Sequence, residues 1–325
     1  MTEKELKSLS LKFTAAQTEI AKIIVGQKQV VNEVFMALLA DGHILLEGVP
    51  GLGKTLLVST LAKVMNADFR RIQFTPDLMP ADIMGMEILE EDKATGKRFF
   101  QFNKGPVFSN ILLADEVNRT PPKTQSALLE AMQEREVTYA GKTYELPKPF
   151  FLLATQNPLE QSGTYPLPEA QLDRFLFYSI VSYPSDEEEL TILENTTGNQ
   201  SVEVKTVLTA DDVLLAKSVV RDIVMDAALI AYINQLVRST RPQVSDVEKI
   251  KKYVEWGAGP RAGQSIILAA KAHAFLSGRL AVIPEDIALV IKSVLRHRIV
   301  MNFSAKSENY QVDQLIEDLL KEIKL

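Results

Sequence analysis

The chain has 325 residues, 46% hydrophobic and 24% charged, with a formal net charge of −6. That balance describes a folded protein with core enough for two packed units; it excludes a mostly disordered chain and argues against non-specific nucleic-acid binding. The chain has no cysteine, which excludes disulfides, thiolate metal sites and cysteine nucleophiles.

The opening segment MTEKELKSLSLKF lacks the apolar core of a secretory signal. The longest apolar run, AALIAYI, falls far short of the roughly 20 residues of a membrane span. A cytoplasmic protein without a membrane span is the expectation.

Residues 1–40 read as helix, with Leu6, Leu9, Phe13, Ile20, Ile23 and Ile24 near helical spacing and the pattern continuing after Gly26. HILLEG (43–48) reads as a buried strand, KTLLVSTLAKVM as a helix and FRRIQF as a strand. NILLADE (110–116), FFLLATQN (150–157) and FLFYSIV (175–181) are further strands, with the helix PKTQSALLEAMQE between the first two. Strands alternating with helices predict a parallel α/β sheet. Residues 85–102 and 135–150 instead alternate with period two around turns at KATG and AGK, and so predict β-hairpins inserted into the α/β core. After Tyr183–Pro184 the pattern becomes helical, opening on the capping-box sequences SDEE and TADD. The predicted units are therefore 1–184 and 185–325. In the last helix Val312, Leu315, Ile316, Leu319, Leu320 and Ile323 share one face.

GVPGLGKT (48–55) matches G-x-x-x-x-G-K-[ST]. Glycines let such a loop curl until successive N–H groups point at one anion, and the following helix adds its positive end. Gly48, Pro50, Gly51, Leu52, Gly53, Lys54, Thr55 and Leu56 form the expected cradle. In it Lys54 reaches the β- and γ-phosphates of ATP, and the Thr55 hydroxyl turns toward Mg²⁺. A strand before the loop and a helix after it are the context in which this motif binds phosphate. Past it, ILLADE ends a strand on two carboxylates: Asp115 to hold Mg²⁺ through water, and Glu116 to act as general base on the attacking water. A chain that only bound nucleotide has no need of Glu116.

Asn157 follows a strand and belongs at the ligand end of a parallel sheet, where its amide would orient the attacking water. Arg174 opens the next strand and so belongs at the opposite end. Two readings stay open for it: a surface ion pair with Asp173, or an arginine finger supplied to a neighbouring subunit.

Together GVPGLGKT, ILLADEVNRTPPKTQSALLEAMQE, ATQNPLEQSGTYPLPEAQLDRF and GAGPRAGQS resemble the MoxR-type AAA+ ATPases, from about residue 24 into the helical unit. The resemblance implies a P-loop AAA+ core with a five-stranded parallel sheet, the two hairpins as inserts, and a helical lid over about 245–325. It implies that Val25, Gly26 and Gln27 border the adenine, that Asn157 is sensor 1, Arg174 the arginine finger and Arg261 sensor 2. Arg261 is open between serving its own nucleotide and a neighbour's. The family implies a ring, typically a hexamer, and chaperone-like remodelling or maturation of an enzyme complex together with a von Willebrand factor A domain protein.

Arg119 is open between an interface role and a loop cap, and Phe99, Phe100 and Phe102 between gripping a client and packing their own hairpin. His43, His273 and His297 lack metal-ligand spacing. RHR (296–298) and KIKK (249–252) read as solvated helix faces. The alternatives to a remodelling ATPase are a nucleic-acid-stimulated ring motor, disfavoured by the acidic balance, and a low-turnover ATP switch, disfavoured by Glu116.

Overall fold

The computed structural model describes residues 3–91, 96, 98–159, 163–198 and 202–324. Two helices, α1 (Glu3–Ala21) and α2 (Lys28–Leu39), precede strand β1 (Ile44–Glu47). The helical pattern of the first forty residues is broken between them, where Gly26 takes φ +82°. Helix α3 (Lys54–Val64), strand β2 (Phe69–Gln73) and the short α4 (Pro80–Met84) follow. The first hairpin is β3 (Gly85–Glu91) with β4 (Arg98–Lys104); of its predicted turn KATG (93–96), all but Gly96 lies outside the described residues. Next come β5 (Ile111–Asp115), α5 (Pro122–Glu134), a second hairpin β6 (Glu136–Tyr139) and β7 (Lys142–Glu145), β8 (Phe151–Gln156), α6 (Glu169–Leu172) and β9 (Phe177–Ile180).

The sheet has the order β2-β5-β8-β1-β9, and every pairing in it is parallel. Its central strands are apolar on both sides because both faces are covered. Ile44, Leu46, Ile111, Leu113, Phe151 and Leu153 face one apolar cluster with α2 and α3, while Leu45, Leu112, Ala114, Leu152 and Ala154 face another built on α5 through Leu128, Leu129 and Met132.

The rest of the chain is helical: α7 (Asp186–Thr197), α8 (Ala210–Asp222), α9 (Ala227–Ser239), α10 (Glu248–Tyr253), α11 (Pro260–Leu276), α12 (Pro284–Leu295), α13 (Phe303–Ser307) and α14 (Val312–Glu322). Ser185 and Thr209 cap α7 and α8 through reciprocal capping boxes. One feature departs from the expected all-helical lid. Strands β10 (Val254–Trp256) and β11 (Val300–Met301) pair antiparallel, and they are too short for alternation to reveal. On α14 Leu315, Ile316 and Leu319 are buried, as is Ile323 at its C-cap, and Val312 and Leu320 pack at the rim. The lid is not a separate core. Phe13 of α1 is fully buried and meets Phe35 of α2 edge-on at 6.2 Å and Phe275 of α11 at 5.6 Å. No helix among the described residues is long and apolar enough to cross a membrane.

KIKK does lie on a solvated face, where Lys249 pairs with Asp318, Lys251 with Glu248 and Lys252 with Glu308. RHR does not: His297 and Arg298 are buried. His43 is also a core residue. Its Nε2–H donates to the Met132 carbonyl at 3.2 Å, and its Nδ1 accepts from the Leu152 N–H at 3.1 Å. Burial, with Arg135 and Lys217 nearby, pushes its pKa down to about 3, and burial beside Arg298 pushes that of His297 well below the usual value.

Both histidines stay neutral in the folded chain while the unfolded chain takes up protons below about pH 6.5. Stability is thus fully present above pH 6.5 and is lost as pH falls toward the folded values. Urea unfolding should show a loss of about 1 kcal/mol per histidine between pH 7 and 5.5, above the range where the depressed carboxylates titrate. The His43→Gln variant should show a shallower slope. A stability that is flat across this window would exclude the assignment.

Candidate active site

At the carboxyl end of β1 the chain turns through Gly48–Gly53 into α3. Gly51 and Gly53 take φ +88° and +71°, left-handed values that a side chain resists. A Cβ at either would meet nothing within 4 Å, so the curled loop has an open side. Gly53 is the N-cap of α3, and neither a side-chain cap nor an acidic residue in the first turn claims that helix's leading N–H groups. Lys54 is partly buried and bends back to donate to the carbonyls of Gly48 and of Val49, the latter at 3.2 Å. Burial lowers its pKa despite Asp115, Glu116 and Glu47 nearby. A curled loop leading into a helix N-terminus without a side-chain cap, beside a partly desolvated ammonium, fits an anionic ligand such as a polyphosphate.

Gln27 donates to the Leu52 carbonyl at 2.8 Å, which seats 25–27 against this loop. Its Oε1 is buried and has no partner among the described residues.

Two strands away, the end of β5 carries Asp115 and Glu116. Asp115 is only 8% exposed. Its Oδ1 accepts from Thr155 Oγ1 at 2.6 Å, and its Oδ2 accepts from Arg71 Nη2 at 2.7 Å and Nε at 3.1 Å. Glu116 has left-handed backbone angles, φ 59° and ψ 50°, which for a non-glycine residue cost about 1 kcal/mol and turn its side chain off the line of the strand. Its N–H donates to Thr155 Oγ1 at 2.8 Å, and its Oε2 accepts from Gln73 at 2.6 Å and lies 3.1 Å from Arg119 Nε. Asn157 follows β8, the strand between β5 and β1, so it stands between the loop and the carboxylates. It is buried, and its Oδ1 accepts from the Leu159 N–H at 3.1 Å.

Arg174 and Arg261 lie elsewhere. Both line a cleft with Asp41, Gly42, His43 and Arg135, the residues leading into β1 or following α5. Arg174 Nη1 donates to the Leu129 carbonyl at 3.1 Å, and Arg261 Nη1 is 3.5 Å from Asp173 Oδ2. The four residues of β1, roughly 13 Å at 3.3 Å each, separate this edge from the phosphate loop. The structure thus gathers Val25–Gln27, 48–56, Asp115, Glu116 and Asn157 at one edge of the sheet, and Arg174 with Arg261 at the other.

The sequence reading missed Thr155, Arg71 and Gln73. Arg71 and Gln73 are two apart on a strand and so share a face, a signal that was present. That the face adjoins Asp115 depends on β2 pairing with β5, which local pattern does not reveal.

Residues 43–177 match the AAA family, ATPases associated with various cellular activities, and residues 248–319 match the AAA lid domain. The chain is 46% identical over 308 residues to chaperone MoxR1 of Mycobacterium tuberculosis, covering 94% of this chain and 80% of that one. It is 29% identical over 324 residues to protein MoxR of Methylorubrum extorquens, covering 94% and 92%. A solved structure from Cytophaga hutchinsonii, described as a candidate ATPase, superposes with a TM-score of 0.91 at 44% identity over 99% of this chain and 97% of that one. The chain belongs to the MoxR-type AAA+ ATPases, a nucleotide-binding family with an α/β core and a helical lid.

One hydroxyl, that of Thr155, links the side chain of Asp115 to the backbone of Glu116. Replacing it with Val keeps the shape and leaves a buried N–H unpaired, so unfolding should be easier by about 1–3 kcal/mol. Thr155→Ser should recover most of that loss in denaturant titrations. Equal stability of the Val and Ser variants would show that the bridge carries no weight.

Proposed function

We propose that the protein hydrolyses Mg-ATP at sites shared between neighbouring subunits of a ring, and that the cycle remodels or matures a partner protein complex. One observation carries the reading. Arg174 and Arg261 stand together at the sheet edge remote from their own phosphate loop, so their natural counterpart is a second copy's nucleotide.

In this reading the loop N–H groups and Lys54 bind the β- and γ-phosphates, and Val25, Gly26 and Gln27 border the adenine. The unpartnered Gln27 Oε1 suits the exocyclic amine of that base. Thr55 and, through water, Asp115 would hold Mg²⁺, which supplies charge neutralisation to the phosphates when bound. Asp115 must give up Arg71 to do so. Glu116 takes the proton of the attacking water, and Asn157 orients that water. A neighbour's Arg174, with Arg261 beside it, neutralises charge building on the γ-phosphate. The ring follows from a head-to-tail contact that closes, and six subunits are the expected number. The chaperone named among the relatives supports a protein client; a von Willebrand factor A domain protein is the working partner proposed with it.

The test mixes Lys54→Ala with Arg174→Ala, each inactive alone. In a random 1:1 ring half the subunits keep the phosphate loop and half of their neighbours keep the finger, so about a quarter of wild-type turnover should return. No recovery in assembled mixtures would sink the shared site. Separately, Glu116→Gln should retain ATP unhydrolysed and co-purify with its protein partner from the native cell in Mg-ATP. Recovery of nucleic acid instead would replace the remodelling reading with a motor.

A further inference from the structure

The tripeptide 296–298, at the end of α12, turns inward onto the segment that bears Arg174. Arg298 is the centre of the contact, with its side chain only 2% exposed. Its Nε donates to Asp173 Oδ1 at 2.7 Å. Its two terminal nitrogens donate to the carbonyls of Asp173 at 3.1 Å, Phe175 at 2.7 Å and Leu176 at 3.2 Å. The same nitrogens anchor it in the lid, on the Val294 carbonyl of α12 at 2.5 Å and Ser265 Oγ of α11 at 3.3 Å. Its neighbours repeat the grip: His297 Nε2–H donates to the Phe175 carbonyl at 3.1 Å, and Arg296 to the Tyr178 carbonyl at 2.7 Å.

A buried guanidinium is expensive to desolvate, and an apolar residue would fill the same volume more cheaply. What an apolar residue lacks is a planar fork of donors for several carbonyls at once. Those of Asp173 and Phe175 precede β9, where the parallel ladder has not yet begun. The residues on both sides of Arg174 are therefore fixed by the lid. Asp173 extends the arrangement, because its second oxygen faces Arg261 on the first turn of α11. One carboxylate thus links Arg298, Arg261 and the backbone of Arg174.

We infer that Arg298 is a positioning residue for the arginines that act on the neighbouring subunit's nucleotide, and that through it the lid and the Arg174 segment move as one body. The inference rests on the proposed shared site. Loss of Arg298 should leave ATP binding in its own subunit intact and misplace the arginines offered to the next. A shift of about 1 Å in such groups costs up to roughly 100-fold in rate.

The experiment compares Arg298→Met with wild type for binding of a fluorescent ATP analogue, for kcat and KM, and for turnover after 1:1 mixing with Lys54→Ala. Expected are analogue affinity within about twofold of wild type, a kcat loss of about 10- to 100-fold, and recovery on mixing equal to that of Arg174→Ala. If Arg298→Met does not fold, Asp173→Asn, at a partly exposed position, is judged by the same readings. Affinity falling in step with kcat, or no recovery where the Arg174→Ala mixture does recover, overturns the positioning role. Failure of the Arg174→Ala mixture itself, with rings assembled, overturns the shared site and this inference with it.

Discussion

Because β1 is hydrogen-bonded in parallel to β8 on one side and β9 on the other, every chain in the middle of the sheet points the same way. That polarity sorts the chemistry. Carboxyl ends gather the phosphate loop, Asp115, Glu116 and Asn157; the amino end of β9 receives Arg174, and α11 brings Arg261 beside it. A single reversed strand would place an arginine among the phosphate ligands or a carboxylate among the arginines. A slip of one residue would exchange the side chains that pack in the two apolar clusters, so the fit of each set to its own helices holds the register.

Within the chain the charged groups of the site already have partners. Lys54 spends its protons on loop carbonyls, Asp115 is held by Arg71 and Thr155, and Glu116 is engaged by Gln73 and Arg119. In the proposed function a triphosphate and its cation would exchange these internal partners for better ones: phosphate oxygens for Lys54 and metal-bound water for Asp115. Glu116 already holds its left-handed backbone, with its carboxylate set against Gln73 and Arg119. Such preorganisation is what lets a charged site act without reorganising at the moment of reaction.

The five strands were legible in the sequence as short runs between helices, most of them apolar, both hairpins by their period-two alternation, and the phosphate loop because its chemistry is contiguous. What stayed hidden depends on distant pairing. Thr155 reads as one more β-branched strand residue until β8 lies beside β5. Arg296 and Arg298 read as solvent-facing because charge usually is; only the carbonyls of 173–178, more than a hundred residues earlier, turn them inward. The hairpin aromatics divide in the same way. Phe102 stacks on Tyr144 at 4.4 Å and lies 5.2 Å from Tyr139, tying one hairpin to the other, while Phe99 and Phe100 remain exposed. The sequence places three phenylalanines on one hairpin, but which of them packs is decided by the second.

The continuity of the core bears on how the proposed cycle would transmit force. Domains joined by a large apolar interface move little against each other. Here α1, α2, α11 and α12 contribute to one cluster, with Phe13 wedged between Phe35 and Phe275. Buried Glu33 of α2 adds a polar tie, accepting from Ser179 of β9 and from Ser293 of α12, the latter at 2.6 Å. With the Arg298 grip on the carbonyls of Asp173, Phe175 and Leu176 just before β9, the lid holds this edge strand at its start as well as through Ser293. A subunit built this way resists internal hinging between lid and sheet. In the proposed ring the compliant surface would then be the contact with the next copy, where the γ-phosphate of one subunit would meet Arg174, braced by the lid, and Arg261 of another. Loss of the γ-phosphate would remove the charge those arginines face, so in this proposal the step would be read as a change in how subunits sit against each other.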